Sequence, residues 1–268
     1  MRKQRWLWTL AGLWALPYLA QAQDLPRIMQ VYPTSDTLPV NLMRFYVQFS
    51  QPMQEVGIYE HVHLYNAQGR ELDSVFYKHA TEFWNRDRTQ VSLLVDPARV
   101  KRGLLAHNQL GRAFVEGERY TLTIDSLLLN FNDQPLASAW SVSFVAGPED
   151  RSAPAPERWM LSAPTSGIQD SLRVAFQDKI DHISVHTRLA VGHNNQPVRG
   201  TWNYSTDQAA YFVPEQPWQP GTYQLLIHSA LEDVAANSVH QIFDYDPDEY
   251  NPDVRPYYTV DFWVREAE

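Results

Sequence analysis

Four blocks of alternating hydrophobicity occur twice in the chain, in the same order, and this ordered duplication limits the fold more than any other feature of the sequence. Leu42-Met43-Arg44-Phe45-Tyr46-Val47-Gln48-Phe49 corresponds to Ser171-Leu172-Arg173-Val174-Ala175-Phe176, and Val91 to Pro97 corresponds to Ala210 to Pro214. Gly117 to Ile124 corresponds to Gly221 to Ile227, and Ser141 to Val145 to Thr259 to Trp263. Chance does not readily align four blocks in register, so the chain reads as two copies of one module. Each copy has about 110 to 125 residues, the size of a β-sandwich of roughly seven strands.

Within the blocks the period is two. In Leu42 to Ser50, Phe45, Val47 and Phe49 share one face and Arg44, Tyr46 and Gln48 the other, the pattern of a half-buried antiparallel strand. Gly117 to Asp125 places Tyr120, Leu122 and Ile124 inward and Thr121 and Thr123 outward, and Ser141 to Val145 sets Val142 and Phe144 against Ser141 and Ser143. Long amphipathic helices are not expected. The one short candidate is Pro97 to Arg102, with Asp96 as N-cap, Pro97 at the first helical position and Gly103 as the stop. The run GPEDRSAPAP from Gly147 to Pro156 holds three prolines, charges and small residues, offers nothing to pack, and reads as an interdomain linker.

The N-terminus reads as a leader. Arg2, Lys3 and Arg5 precede an apolar stretch from Trp6 to Leu16 that is too short to span a bilayer, and Ala20-Gln21-Ala22 supplies the small residues of a cleavage site. Cleavage after Ala22 is expected. The predicted division is a signal peptide over 1–22, a first sandwich over 23–147 with an insertion around 97–113, a linker over 148–156 and a second sandwich over 157–268.

Compartment and partner class follow from two composition facts. The chain has no cysteine, so no thiol carries a lipid at the cleavage point. The product is expected in the periplasm or outside the cell, not as a lipoprotein, with no membrane span after cleavage. It rests on its cores alone, since no disulfide constrains the unfolded chain, and this points to a bacterial envelope protein. The formal net charge of −9 becomes more negative when the cationic leader leaves, which argues against nucleic acid as a partner.

The opening Ile28-Met29-Gln30-Val31-Tyr32-Pro33, a gap containing Pro39, and then Phe45 to Met53 ending in Phe49-Ser50-Gln51-Pro52-Met53 resemble the bacterial Ig-like domain of the S-layer (SbsA-like) type. Its later hallmark, G-x-x-Y-x-(L/V)-x-(I/V) followed by a D-x-x-G-N turn, is similar to Gly117 to Ile124 with Asn132-Asp133, and to Gly221 to Ile227 with Asp233 to Asn237. The second copy departs from the pattern, with Phe176-Gln177-Asp178-Lys179 in place of F-S-x-P-M. The resemblance implies an all-β protein of two tandem immunoglobulin-like β-sandwich domains, and it implies no activity.

Several clusters are candidates for chemistry. Asp244, Asp246 and Asp248 match the first three oxygen ligands of an EF-hand loop, but Glu249 stands where the loop needs glycine and Arg255 where it needs a bidentate glutamate. A calcium site of another kind would draw on Glu249, Asn251 or Asp253. His61 and His63 would share a strand face and a zinc or copper ion, with His79 or Glu82 arriving as third ligand. Arg86, Arg88, Arg99, Lys101, Arg102 and Arg112 would meet an anion or a partner's carboxylates, or else pair with Asp87, Asp96, Glu116 and Glu118. Exposed tryptophans and tyrosines would suit a glycan, although alternation already accounts for several of them as core.

Signatures of catalysis are missing: there is no G-x-S-x-G, H-E-x-x-H, G-x-x-x-x-G-K-(S/T) or G-x-G-x-x-G, and no cysteine nucleophile. The expected function is a non-catalytic binding or structural module of the bacterial envelope that recognises a protein or glycan through the segment near Arg99, Lys101 and Arg102 or the loop from Asp244 to Asp253. No cofactor is expected, with calcium at the acidic loop as the alternative. The alternatives are an envelope-polymer hydrolase with its site at the domain junction, and a calcium-stiffened adhesion or spacer module.

Overall fold

The computed structural model describes residues 24–246, 248, 250, 252 and 254–266, so the expected leader lies outside the described residues. The first half runs β1 (Ile28–Tyr32), β2 (Thr37–Pro39), β3 (Arg44–Phe49), α1 (Ile58–His61), β4 (Val62–Asn66), β5 (Phe83–Trp84), β6 (Gln90–Leu94), α2 (Pro97–Val100), α3 (Leu105–Leu110), β7 (Arg119–Ile124) and β8 (Trp140–Gly147). After a 3-10 turn at Pro156–Arg158 come β9 (Met160–Ser162), β10 (Leu172–Ala175), α4 (His182–Arg188), β11 (Leu189–His193), β12 (Gln196–Val198), β13 (Gly200–Thr206), β14 (Ala209–Pro214), β15 (Gly221–His228) and β16 (Tyr257–Val264). The fold is all-β: each half is a sandwich of two sheets closed over its own core.

Strand order makes the internal duplication explicit. In the first half β1-β3-β6-β5 packs against β2-β8-β7-β4; in the second, β9-β10-β14-β13 packs against β12-β11-β15-β16. Seven strands correspond one to one, and the eighth differs. β2 pairs parallel to β8, whereas β12 folds back on β11 through Asn194 and Asn195, whose φ of 51 and 60 suit a two-residue hairpin turn. The inward sets are those the alternation predicts: Phe45, Val47, Phe49, Leu122, Ile124 and Phe144 lie in one core, and Val174, Phe176, Tyr223, Leu225, Ile227 and Phe262 in the other.

Helices exceed the expectation. α2 begins where predicted, with Asp96 accepting from Ala98 N at 2.9 Å and Pro97 at its start, but it ends at Val100. α1, α3 and α4 are additions. α1 and α4 occupy corresponding places, each leading into the strand beside β7 or β15, and they are too short for a 3.6-residue periodicity to be visible.

A further correspondence lies in the turns after β7 and β15. Asn130 Oδ1 accepts from Asn132 N and Gln134 N, both at 2.9 Å; Asp233 Oδ1 accepts from Ala235 N and Asn237 N, both at 2.8 Å. Asp133 and Ala236, fourth in each turn, have φ of 56 and 62. The side chain that organises the first turn is therefore Asn130, two residues before the Asn132-Asp133 pair that the sequence motif singles out.

The two halves are welded together. Arg44 and Tyr46, on the face of β3 away from its own core, are covered by the second half. Tyr46 Oη donates to Asp181 Oδ2 at 2.6 Å, while Asp181 Oδ1 accepts from Ser184 N at 2.9 Å and so caps α4. Arg44 Nη2 meets Glu232 Oε2 at 2.5 Å, Thr34 Oγ1 donates to Asp207 Oδ1 at 2.9 Å, and the Tyr32 and His182 rings stack at 3.8 Å. Val234 and Ala236 enter the core of the first half, and Met43 N donates to Val234 O at 3.0 Å.

The expected linker does pack. Asp150 N donates to Asn41 Oδ1 at 2.9 Å, Asp150 O accepts from Asn41 Nδ2 at 2.7 Å and from Asn237 Nδ2 at 3.1 Å, and Pro154 and Pro156 are buried. Its charged residues are the ones that pin it, as their partners come from both halves.

Candidate functional site

The two surface segments singled out by sequence come together, and they satisfy each other. Glu149 is held by Arg102, by Arg112 at 2.6 Å and by Arg151 at 3.7 Å; Arg151 also reaches Asp244 Oδ2 at 2.8 Å. Burial works to raise the Glu149 pKa, but Arg112 and Arg102 hold the carboxyl below its usual range. Arg99 donates to the carbonyls of Gly111, Ser74 and Arg112 at 3.1, 3.1 and 2.8 Å, and Lys101 Nζ sits 5.6 Å from the centre of the Tyr245 ring. Arg99, Lys101 and Arg102 are thus engaged within the chain. Of the three, Arg102 alone meets carboxylates among the described residues, and they are Glu149 and Asp244 from the linker and the late loop, where sequence proximity suggests Asp87, Asp96, Glu116 and Glu118.

The late loop is not a free acidic arm. Phe243 lies against the core of the first half, and Asp244 is committed to Arg151. Asp246 Oδ1 accepts from Asp248 N at 3.0 Å, an internal turn. Glu249, Asn251 and Asp253 lie outside the described residues. Asp244, Asp246 and Asp248 therefore face different tasks.

His61 and His63 meet a carboxylate that spacing did not suggest. His61 Nδ1 lies 3.0 Å from Asp125 Oδ1, and His63 Nε2 lies 3.4 Å from Asp125 Oδ2, while His63 Nδ1 is 2.7 Å from Glu71 Oε1. β4 pairs with β7, Val62 opposite Ile124, which puts Asp125 across from His61. The hydrogen bond to Glu71 leads in raising the His63 pKa above its ordinary value, with desolvation opposing. Glu82 instead caps α1 by accepting from Gly57 N and Ile58 N at 2.8 and 3.0 Å, and His79 Nδ1 accepts from Thr81 N at 3.1 Å. Neither reaches the pair. Among the described residues no group of three or more His, Asp or Glu side chains is arranged to hold a metal.

One cavity lies at the junction, where sequence offers no motif. A cleft of about 430 Å³ opens between the halves. Tyr32 and Gln48 contribute from β1 and β3, Asn85 and Gln90 from the β5–β6 turn and β6, His182, Ile183 and His186 from α4, and Trp202, Asn203 and Tyr204 from β13. No Asp, Glu, Lys or Arg is among them, and no Ser, Thr or Cys.

Its walls are fixed by internal bonds. Tyr204 Oη donates to Ile180 O at 2.8 Å, Trp202 Nε1 donates to Leu189 O at 3.1 Å, and the Asn85 carboxamide is used by Thr89 and Gln90. His182 is buried and its pKa falls to about 3 through desolvation and the neighbouring His186, so it is neutral. Its Nε2 lies 3.3 Å from Gln90 Oε1, an acceptor, which places the proton on Nε2 and leaves Nδ1 a buried lone pair without a partner.

No family model and no curated protein matches the chain. Among solved structures it is similar to native alpha-2-macroglobulin from Escherichia coli spanning domains MG0-NIE-MG1, with a TM-score of 0.30, 10% identity and coverage of 91% of this chain and 72% of that one. It is similar to the S-layer protein rSbsC at a TM-score of 0.31 and 9% identity, covering 91% of this chain and 41% of that one. The titin domains Z1Z2 in complex with telethonin follow at 0.24 and 12%, covering 91% and 98%. Likeness at this level assigns the chain to none of them, and the fold stands on its own strand order. Among the described residues no helix is long and apolar enough to cross a membrane.

Proposed function

We propose that this chain is an exported, non-catalytic binding module of the bacterial envelope, in which two sandwiches act as one rigid unit and a protein or glycan partner is held without being cleaved. The observation that carries this reading is the composition of the junction cleft. A glycosidase needs two carboxyl groups flanking the bond, and an acyl-transfer site needs a nucleophile beside a base. The cleft lining has neither a pair of carboxyl groups nor a Ser, Thr or Cys beside a base. The absence of paired carboxyl groups and of a Ser, Thr or Cys from the lining supports recognition over hydrolysis at the junction, and a walled cavity carrying carboxamides suits a binding role. The buried contacts of Tyr46, Arg44 and Val234 support the rigid-unit part of the reading.

The test is co-sedimentation of the chain from Gln23 onward with isolated bacterial sacculi and envelope glycans, with soluble fragments assayed in the supernatant. Binding without release of fragments is expected. Release of reducing ends or peptides would replace the reading with the hydrolase alternative, and failure to sediment with any envelope fraction would sink it.

A further inference from the structure

The cleft's unused hydrogen-bonding groups define what it can accept. Among the described residues the carboxamides of Gln48 and Asn203, the Tyr32 hydroxyl and the His186 ring nitrogens have no hydrogen-bond partner within the chain. They come from both halves, on β1, β3, α4 and β13. Each carboxamide offers a donor and an acceptor side by side, and a phenol and a neutral imidazole do the same. A ligand that matches them presents donors and acceptors together on neighbouring atoms.

Charge narrows the class further. A phosphate, uronate or acidic peptide would leave its charge desolvated against a lining with no Lys or Arg, and an ammonium would find no carboxylate. Ile183, Tyr32 and Trp202 add an apolar wall beside the unused polar groups. Hydroxyl pairs on a ring with apolar C–H faces meet all of these conditions.

We propose that the junction cleft binds uncharged sugar units of a glycan, with Gln48 and Asn203 bridging the two halves through the same ligand. This rests on the binding-module reading and names its ligand class.

The test is calorimetric titration of the chain from Gln23 with neutral oligosaccharides of glucose, mannose and N-acetylglucosamine, with oligogalacturonate and a neutral decapeptide in parallel. At least one neutral oligosaccharide is expected to bind saturably, with neither control binding. Gln48→Ala and Asn203→Ala, both at exposed positions and checked for an unchanged melting curve, should each weaken that binding about tenfold, the loss of about one hydrogen bond. Binding by oligogalacturonate or the peptide instead, no binding by any neutral oligosaccharide, or full binding by the double variant would overturn the proposal. Sedimentation with sacculi that survives the double variant rejects the cleft and keeps the module; oligosaccharide binding without sedimentation keeps the cleft and rejects the envelope role.

Discussion

The turn after β7 and the turn after β15 are built alike and do opposite jobs. Asn130 and Asp233 each organise their own turn through one side-chain oxygen, and the residue that follows projects from its tip. In the first half that residue is Phe131, half exposed, with the Arg88 guanidinium 4.6 Å from its ring centre. In the second it is Val234, 3% exposed and part of the first half's core. The same local geometry is thus a surface loop in one place and the bolt of the junction in the other. What differs is the neighbour, and the side chain has been sized to it: a small β-branched residue fits the gap beside Met43.

That comparison is most directly broken by placing a charge at both tips. Val234→Asp buries an unpaired carboxylate in the first core and is expected to cost about 3 kcal/mol or more. Phe131→Asp lies in solvent and is expected to stay within about 0.5 kcal/mol. Urea unfolding monitored by tryptophan fluorescence separates them, and the Val234 variant should also split one transition into two as the halves uncouple. Equal losses from the two variants would show that the turns are structurally equivalent after all.

The paired arginines test the same contrast on the strands. Arg44 on β3 and Arg173 on β10 correspond, yet Arg44 is held by Glu232 and flanked by Tyr46, while Arg173 is exposed with its Nε 3.3 Å from Tyr211 Oη. Burial works against the Arg44 charge, but Tyr46, Asp181 and Glu232 together hold its pKa above the ordinary value. Arg44→Ala leaves Glu232 without its cation and is expected to cost about 1 to 3 kcal/mol; Arg173→Ala should be near zero. Thermal melting of the two variants in parallel is the measurement, and a larger loss at Arg173 would be inconsistent with a welded junction.

A smaller effect depends on pH. The first residue of α1 is Ile58 and the first of α4 is His182, so only the second helix titrates at this position. The folded pKa of His182 is depressed from 6.5 to about 3, so above 6.5 the group is neutral in both states and contributes no pH dependence. Below 6.5 the unfolded chain takes up a proton that the folded chain refuses, and stability falls by at most about 1.4 kcal/mol per pH unit until the folded pKa is reached. Burial lowers the His186 pKa as well, which adds to the slope; the Glu232 pKa is raised, also by burial, which opposes it near the lower end. His182→Leu should flatten the curve between pH 6.5 and 5. An unchanged slope in that variant would move the titration elsewhere.

Much of this architecture is legible in the chain, because alternation reports which face meets the nearest core. The inward residues of β3, β7 and β8 follow from it directly. The junction does not, since Arg44 and Tyr46 read as a solvent face and their cover, Asp181 and Glu232, is more than 130 residues away. Asp125 was hidden for a related reason: β4 pairs with β7 rather than with the strand that follows it, so its side-chain neighbours are remote in sequence. The cleft is the extreme case. Gln48, Asn203 and His186 form no motif, and only the docking of the two halves makes them neighbours.

The smallest expected effect concerns the insertion, which has no counterpart in the second half. Besides the burial of Val100, α2 and α3 are tied down by one guanidinium, whose three nitrogens reach three different carbonyls. A lysine at position 99 keeps the charge but is a single point with rotating donors, so it cannot span Gly111, Ser74 and Arg112 together. Val100 and Phe114 keep their places in the first core without the guanidinium, so Arg99→Lys should lower global stability by only about 1 kcal/mol while amides from 104 to 112 exchange faster. Hydrogen exchange read segment by segment distinguishes the two scales. Faster exchange confined to that segment means the insertion is an independently clamped lobe on a shared sandwich; faster exchange spreading into β7 or the Glu149 linker would mean that Arg99 braces the junction as well, through the Arg112 and Glu149 pairing beside it.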